Sequence, residues 1–239
     1  MAAKTVLNMG IIQNDRPYSF IQKNKQQGFS IELAHKLATT TKDKIKFKAY
    51  SSQKELQTAL KSGEIDFFIG DKADLSQSYQ STPAFLYPKN VLFTRHDAKA
   101  KNLEKLMKKK VGLLQTGTQS ALLHELSLQP VSYSDQNKLL DALAKGEIAA
   151  GILSDYTYHE LLKNDPSLAK TSPNADKETK KAVLQRISDP NITASSLSFI
   201  TYKRPKLNTA LSTALKELSE DNTLADLSQK YFSKDLTLN

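Results

Sequence analysis

The chain has 239 residues, of which 39% are hydrophobic and 25% charged, with a formal net charge of +9 and no cysteine. These fractions are typical of a globular protein that is long enough for one large domain or two of ordinary size. The lack of cysteine excludes disulfides, thiol nucleophiles and cysteine-ligated zinc, and the longest apolar runs are too short to cross a bilayer.

The positive charge comes mainly from lysine, with local density at 105–110 and near 177–181. One glutamate lies directly before the first group and another lies within the second, which is typical of solvated helix faces. The only arginines are Arg16, Arg95, Arg186 and Arg204. Because so few arginines are available for bidentate contacts, we expect no nucleic-acid partner, and at most a general attraction to anionic surfaces such as a membrane.

Hydrophobic periodicity predicts alternating strands and helices in the first part of the chain. Ser30 is the expected N-cap of the first helix, and Ser51 or Ser52 is expected to cap the second, which ends at Gly63. The predicted elements are, in order, a strand over 6–12, a loop over 13–20, a helix over 31–39, a strand over 44–49, the helix ending at Gly63 and a strand over 65–69. This order predicts a mostly parallel sheet.

The same kind of alternation continues to the end of the chain. The predicted elements are, in order, strands over 91–94 and 111–114, a helix over 120–126, a strand over 131–133, a helix over 137–144, a strand over 148–153, a helix near 177–187, a strand over 197–202, and helices over 205–218 and 224–231. The second part therefore repeats the α/β character of the first.

One short segment occurs twice. Residues 59–65, ALKSGEI, return as residues 142–148, ALAKGEI, with five of seven positions identical, and the apolar runs that follow end at Asp71 and Asp155. Each copy predicts a helix, a left-handed glycine at its end and a buried strand. Such units occur in any α/β protein, but the repeat favours two similar lobes with a cleft between them.

The predicted strands near 91–95 and 197–203 stand where the two halves join. We therefore predict a discontinuous first lobe of residues 1–94 plus 198–239 and an inserted second lobe of residues 95–197. Two crossing segments of this kind are typical of a hinge.

The order of these motifs resembles that of the type 2 periplasmic solute-binding proteins, in the polar amino-acid branch that serves ABC transporters. The matching segments are, in order, Gly10 with RPYSF at 16–20, GFSIELA at 28–34, LKSGEID at 60–66, VGLLQTGTQ at 111–119, the repeat through Asp155, and LADLSQKYF at 224–232. The resemblance covers nearly the whole chain. It implies a type II two-lobe α/β fold in which each lobe is a mostly parallel sheet flanked by helices.

The resemblance also implies where a ligand is held. In this family an arginine and backbone N–H groups hold an amino acid's α-carboxylate, an acid after the second lobe's repeated strand holds its α-amine, and aromatic residues enclose its side chain. Thr118 matches best, as a ligand residue, an N-cap or both, and Asp155 matches the amine-binding acid, with Ser154 as the competitor. Tyr18 either lines the cleft or packs beneath it. The implied ligand-binding residues are Asp15, Tyr18, Gln53, Gly70, Asp71, Ala73, Thr116, Thr118, Gln119 and Asp155.

This chain departs from the family pattern in the first lobe. No arginine lies between Arg16 and Arg95, Gln53 stands near the position of an expected aromatic residue, and Asp71 stands where the family has positive charge. Arg16 or Lys72 could replace the missing arginine as the carboxylate partner. With acids gathered near the expected cleft, we predict a small polar ligand that is cationic or neutral.

The resemblance implies an extracytoplasmic binding protein, periplasmic or lipid-anchored, that closes on its ligand and passes it to ABC permease subunits. We expect a monomer without catalytic residues, metal or cofactor. Two alternatives remain, a sensor or adhesion module of the same fold and a dehydratase-like enzyme. The enzyme is disfavoured because cationic groups to hold carboxylates are lacking and the four histidines are scattered.

Overall fold

The computed structural model describes residues 5–169 and 183–238. The chain forms two compact units, one made of Met1–Tyr87 with Ser196–Asn239 and the other of Pro88–Ser195. The chain passes between the units twice, after Tyr87 and after Ser195. Each unit is built from a β-sheet and helices, so the predicted α/β class is confirmed.

Most of the strands and helices predicted from the hydrophobic pattern are present, with bounds shifted by a few residues, and several short elements were not predicted. The strands are β1 (Val6–Ile12), β2 (Phe20–Gln22), β3 (Lys25–Gln27), β4 (Lys44–Tyr50), β5 (Phe67–Asp71), β6 (Tyr79–Ser81), β7 (Asn90–Arg95), β8 (Lys110–Leu114), β9 (Gln129–Tyr133), β10 (Ala150–Ser154), β11 (Leu184–Ile187) and β12 (Leu197–Tyr202). The helices are α1 (Phe29–Thr41), α2 (Gln53–Ser62), α3 (Leu103–Leu106), α4 (Ser120–Glu125), α5 (Gln136–Ala144), α6 (Asp155–Asn164), α7 (Pro205–Glu220) and α8 (Thr223–Phe232).

The first unit contains a five-stranded sheet in the order β4-β1-β5-β12-β6. Strands β1, β4 and β5 run parallel, and β12 is antiparallel to both β5 and β6. Its interior is apolar and aromatic, with Phe29, Phe67 and Phe199 fully buried. The carboxyl ends of the three parallel strands therefore share one edge of this sheet.

The second unit contains a five-stranded sheet in the order β11-β7-β10-β8-β9. Strands β8, β9 and β10 run parallel, and β7 is antiparallel to its neighbours β10 and β11. Fully buried side chains lie on both faces of the sheet, including Phe93 on one and Val111 on the other. The carboxyl ends of β8, β9 and β10 again share an edge, and β7 begins there.

The repeated segment adopts the same local structure in both units. Gly63 and Gly146 have φ values of 77° and 74°, the left-handed conformation expected at a helix end. The N–H of Glu64 donates to Ala59 O at 2.9 Å, and the N–H of Glu147 donates to Ala142 O at 2.9 Å. The two copies of the repeated segment therefore fold alike, with the same turn leading from helix to strand.

Helix α1 begins differently from the prediction. Ser30 lies inside the helix, and the N-cap is Gly28, with φ 128° and no side-chain cap. The N–H of Phe29 donates to Pro17 O, and the N–H of Ser30 donates to Tyr18 O. The loop after β1 thus supplies the acceptors that a serine cap would have offered, so the predicted Ser30 cap is wrong.

The structure also differs from the sequence prediction near the ends of the second unit. Residues 184–187, assigned by sequence to the end of a helix, form β11, which pairs with β7; most of that predicted helix lies outside the described residues. Strand β7, placed near the predicted first crossing, is part of the second sheet. The observed units divide at Tyr87 and Ser195, against predicted boundaries at 94 and 197.

Candidate functional site

Candidate residues of the first unit gather at the carboxyl edge of its sheet. Because β1, β4 and β5 are parallel, the segments that follow them lie along one edge. The predicted residues carried there are Asp15 and Tyr18 after β1, Gln53 at the start of α2, Gly70 and Asp71 at the end of β5, and Ala73 in the 3₁₀ turn Lys72–Asp74. The carboxyl ends of strands are where open α/β sheets hold their ligands.

Asp15 lies in a turn held by backbone hydrogen bonds. Its N–H donates to Ser19 O at 2.7 Å, and the N–H of Ser19 donates back to Asp15 O at 2.8 Å. Within residues 5–169 and 183–238, no side chain forms an ion pair with the Asp15 carboxylate. Asp15 is partly buried as a residue, and desolvation by the surrounding protein raises its pKa to about 7.

The Tyr18 ring packs edge-on against Phe232 at a centroid distance of 5.3 Å and against Phe29 at 6.5 Å. Burial raises the pKa of Tyr18, and the nearby Asp15 carboxylate adds to the rise. Tyr18 keeps a partly exposed surface. Packing therefore explains its position, and a direct ligand contact stays a prediction.

The Asp71 carboxylate accepts backbone hydrogen bonds at the end of β5. Its Oδ1 accepts from the N–H of Ala73 at 3.0 Å, and its Oδ2 accepts from the N–H of Ser196 at 2.8 Å. Each carboxylate oxygen thus meets a backbone donor, which stabilises the 3₁₀ turn and the start of β12. Lys72, offered by sequence as a carboxylate partner, donates from Nζ to Ser76 O at 2.7 Å.

Gly70 and Gln53 occupy positions that packing and capping explain. A Cβ on Gly70 would come within 2.8 Å of Phe68 Cε2, so the strand end is closely packed there. Gln53 is the first residue of α2, whose N-cap Ser52 accepts from the N–H of Glu55 at 3.2 Å. Arg16, the other substitute suggested for the missing arginine, stacks over the Phe20 ring at 3.9 Å.

The second unit brings its candidates together in the same way. Thr116, Thr118 and Gln119 follow β8, and Asp155 follows β10, at the shared carboxyl edge. Asn90 begins β7 at that edge, paired with Ser154. The expected grouping of second-lobe residues along one edge is therefore present in the structure.

A hydrogen-bond network of uncharged groups links the loop after β8 to the start of β7 and to the segment that ends at Ser195. Gln119 Nε2 donates to Asn90 Oδ1 at 3.1 Å, and Asn90 Nδ2 donates to Thr193 O at 2.9 Å and Ser195 Oγ at 3.2 Å. Thr118 Oγ1 makes a longer contact with Ser195 Oγ at 3.4 Å. Gln119 and Ser195 are 6% and 4% exposed, so these polar groups depend on one another. Sequence reasoning missed Asn90 and Ser195.

Thr118 is not a helix cap. Helix α4 spans only six residues, and its N-cap is Gln119, whose side chain makes no capping bond. The predicted N-cap role of Thr118 is therefore wrong. A ligand contact by Thr118 stays a prediction, and so does one by Thr116, which is partly exposed in the same loop.

Asp155 stands in an ionic cluster at the start of α6. Its Oδ1 lies 2.7 Å from Arg186 Nη2 and 3.3 Å from His159 Nδ1, and its side chain is 21% exposed. The Arg186 guanidinium also lies over the Tyr158 ring, 4.8 Å from its centroid. Ser154, the competing candidate, caps α6 by accepting from the N–H of Thr157 at 3.2 Å. Asp155 is thus an acid at this edge, with Arg186 as a cation that the sequence analysis did not assign.

In the ranges 5–169 and 183–238, no three His, Asp or Glu side chains are grouped as metal ligands would be. No helix within these ranges has both the length and the apolar character needed to cross a membrane.

Comparisons with known proteins place the chain among bacterial binding proteins. A family model for the bacterial extracellular solute-binding proteins, family 3, matches residues 7–234. Membrane-bound lytic murein transglycosylase F of Shewanella woodyi (strain ATCC 51908 / MS32) is 25% identical over 244 residues, covering 96% of this chain and 47% of that protein. Probable amino-acid-binding protein YxeM of Bacillus subtilis (strain 168) is 24% identical over 236 residues, covering 98% and 86%. The chain spans about half the length of the transglycosylase.

Solved structures share the fold at low sequence identity. The arginine-, lysine-, histidine-binding protein ArtJ from the thermophilic bacterium Geobacillus stearothermophilus superposes with a TM-score of 0.72 at 22% identity, covering 98% of this chain and 96% of that one. A histidine kinase sensor domain with similarity to periplasmic binding proteins gives a TM-score of 0.74 at 20% identity, with 97% of each chain covered.

Proposed function

We propose that this chain, which belongs to the bacterial extracellular solute-binding proteins of family 3, is an extracytoplasmic receptor. Its proposed ligand is a small, polar, cationic amino-acid-like solute. In this proposal it delivers the solute to the membrane subunits of an ABC transporter. We expect the ligand to favour the conformation that binds it most tightly.

The observation that supports a cationic ligand is the state of Asp15. Asp15 is a partly buried residue, its carboxylate lacks an ion pair among the described residues, and desolvation raises its pKa to about 7. A carboxylate in this state is destabilised when ionised and gains most from a cationic partner. A ligand guanidinium or ammonium at Asp15 would supply that partner.

Asp155 and Arg186 support recognition of an amino-acid backbone. Asp155 offers a carboxylate for an α-ammonium, and Arg186, 2.7 Å away, offers a guanidinium for an α-carboxylate. Arg186 would thus take the part of the arginine that the first lobe lacks. The ion pair that joins them also means that a ligand ammonium competes with Arg186 for Asp155.

The similarity to known binding proteins supports the same ligand class. ArtJ is described as binding arginine, lysine and histidine, and YxeM as a probable amino-acid-binding protein. For this chain we propose only the ligand class, a cationic amino acid.

A thermal-shift panel tests the proposal, because a ligand that binds only the folded state raises its midpoint by mass action. Arginine, lysine and ornithine are expected to raise the midpoint, while glutamate, leucine and serine leave it unchanged. Stabilisation by acidic or uncharged amino acids, without any by cationic ones, would contradict the cationic assignment.

A second candidate is a sensing module within a larger protein. The transglycosylase relative is about twice as long as the aligned region, and a sensor domain of a histidine kinase shares the fold. A gene neighbourhood with ABC permease subunits would favour transport. Fusion to a membrane or signalling segment would favour sensing.

A further inference from the structure

A dense lysine surface lies at the amino edge of the second sheet. Residues 99–110 contain six lysines and a single acid, Glu104, so this short stretch carries five of the nine net positive charges of the chain. All six side chains are exposed, and none forms an ion pair with a described residue. The lysine surface consists of Lys99, Lys101, Lys105, Lys108, Lys109 and Lys110.

The same stretch of chain carries an exposed apolar side chain on a turn that backbone hydrogen bonds hold in place. Met107 is 48% exposed, while Leu106 beside it is fully buried in the core of the unit. The N–H of Lys109 donates to Leu106 O at 2.8 Å, and the N–H of Lys108 donates to Ser127 O at 2.7 Å. The buried leucine and these bonds hold the turn in place, so Met107 and its neighbouring lysines are presented together.

We propose that the lysine surface docks the protein on an anionic lipid bilayer, with Met107 entering the headgroup region. Each lysine close to an anionic membrane surface adds to the attraction, and an apolar side chain among the lysines gains by leaving water. A soluble polyanion would attract the lysines but would not bury the apolar side chain of Met107. The lysines together with the exposed methionine therefore fit a lipid surface better than an acidic polymer.

The charges of neighbouring elements leave this surface strongly positive. Asp97 is paired with Arg95 at 2.8 Å, so it does not neutralise the lysines. The exposed acids nearby are Glu104 on α3, Glu125 on α4, and Glu147, two residues before the Ala149 N–H that donates to Lys110 O. They offset only part of the positive charge.

Docking here leaves the candidate ligand edge free. Lys110 begins β8 and Leu114 ends it, so the lysine surface and the loop of Thr118 lie about 13 Å apart along the strand, at opposite edges of one sheet. Membrane docking and ligand binding by the second unit can therefore occur together. This inference does not depend on which solute is bound.

Vesicle sedimentation tests the proposal with vesicles of phosphatidylcholine alone or mixed with phosphatidylglycerol. The test variant combines three substitutions, Lys108→Gln, Lys109→Gln and Lys110→Gln. A control with the same loss of charge combines Lys44→Gln, Lys46→Gln and Lys54→Gln, all exposed positions of the first unit. Thermal unfolding of each variant checks that the fold is kept.

The unaltered protein is expected to sediment with the anionic vesicles at low salt and not with the neutral ones. The test variant should lose about a hundredfold in partitioning, and the control far less. Met107→Gln should weaken vesicle binding while leaving retention on a polyglutamate resin unchanged. Equal losses in the two triple variants, or retention on polyglutamate without vesicle binding, would overturn the proposal.

Discussion

Replacing Asp15 by asparagine should have opposite effects on stability and on binding. Burial raises the pKa of Asp15 from its ordinary value of 3.8 to about 7. A group whose pKa is higher in the folded state binds more protons there, so unfolding becomes easier as pH rises between those two values. At about 1.4 kcal/mol for each pH unit, ionising Asp15 in the empty protein costs on the order of 4 kcal/mol. Asp15→Asn should therefore stabilise the empty protein at pH 8 and change little at pH 4.

The same carboxylate should make ligand affinity depend on pH. If a ligand cation binds only the ionised form, affinity for arginine should be roughly thirtyfold weaker at pH 5.5 than at pH 8, because only a small fraction of Asp15 is ionised at the lower pH. Calorimetric titrations at a series of pH values measure this dependence. Asp15→Asn, which keeps the side-chain shape, should bind arginine weakly and with a flat pH profile. A pH-independent affinity in the unaltered protein, or a variant that binds as well, would refute the role of Asp15.

Four further outcomes follow from other contacts. Asp155→Ala should weaken ligand binding by roughly 1.5–3 kcal/mol, measured by calorimetry, and an unchanged dissociation constant would remove Asp155 from the site. Arg186→Gln frees Asp155 from a competing cation, so the affinity for a ligand without an α-carboxylate, such as agmatine, should rise up to about fivefold, and a fall would contradict the competition. Gly63→Ala and Gly146→Ala meet no atom within 4 Å, so each should lower the unfolding free energy by only about 1 kcal/mol, through backbone conformation; asparagine at either position should cost less. Asn90→Ala leaves the buried Gln119 amide without its partner and removes one of the two contacts of the Ser195 hydroxyl, so urea unfolding should show a loss of about 1–3 kcal/mol.

Much of the fold could be predicted because the hydrophobic pattern and the turn residues agree. The repeated segment, with Gly63 and Gly146 each in the left-handed conformation, carried enough local information to place helix, turn and strand. The Ser30 cap failed for a reason that no local pattern reveals. The acceptors for the first N–H groups of α1 come from Pro17 and Tyr18, at the far end of a loop.

The candidate site was harder to predict because its partners are distant in sequence. Asp155 and Arg186 are 31 residues apart, and Asn90 and Ser195 are 105 residues apart. The pairing of β7 with β10 and β11 brings Asp155 and Arg186 together. The N–H of Ser195 donates to Pro88 O at 3.0 Å, which holds Ser195 near Asn90. The scarcity of arginine was the one sequence signal that could have drawn attention to Arg186.

A titration of arginine against citrulline tests the central claim most directly, because the two amino acids share size and backbone and differ in side-chain charge. At pH 8 the unaltered protein should bind arginine at least tenfold more tightly than citrulline, as expected for a charged hydrogen bond to Asp15. Equal affinities, or citrulline bound more tightly, would contradict a cation-selective receptor.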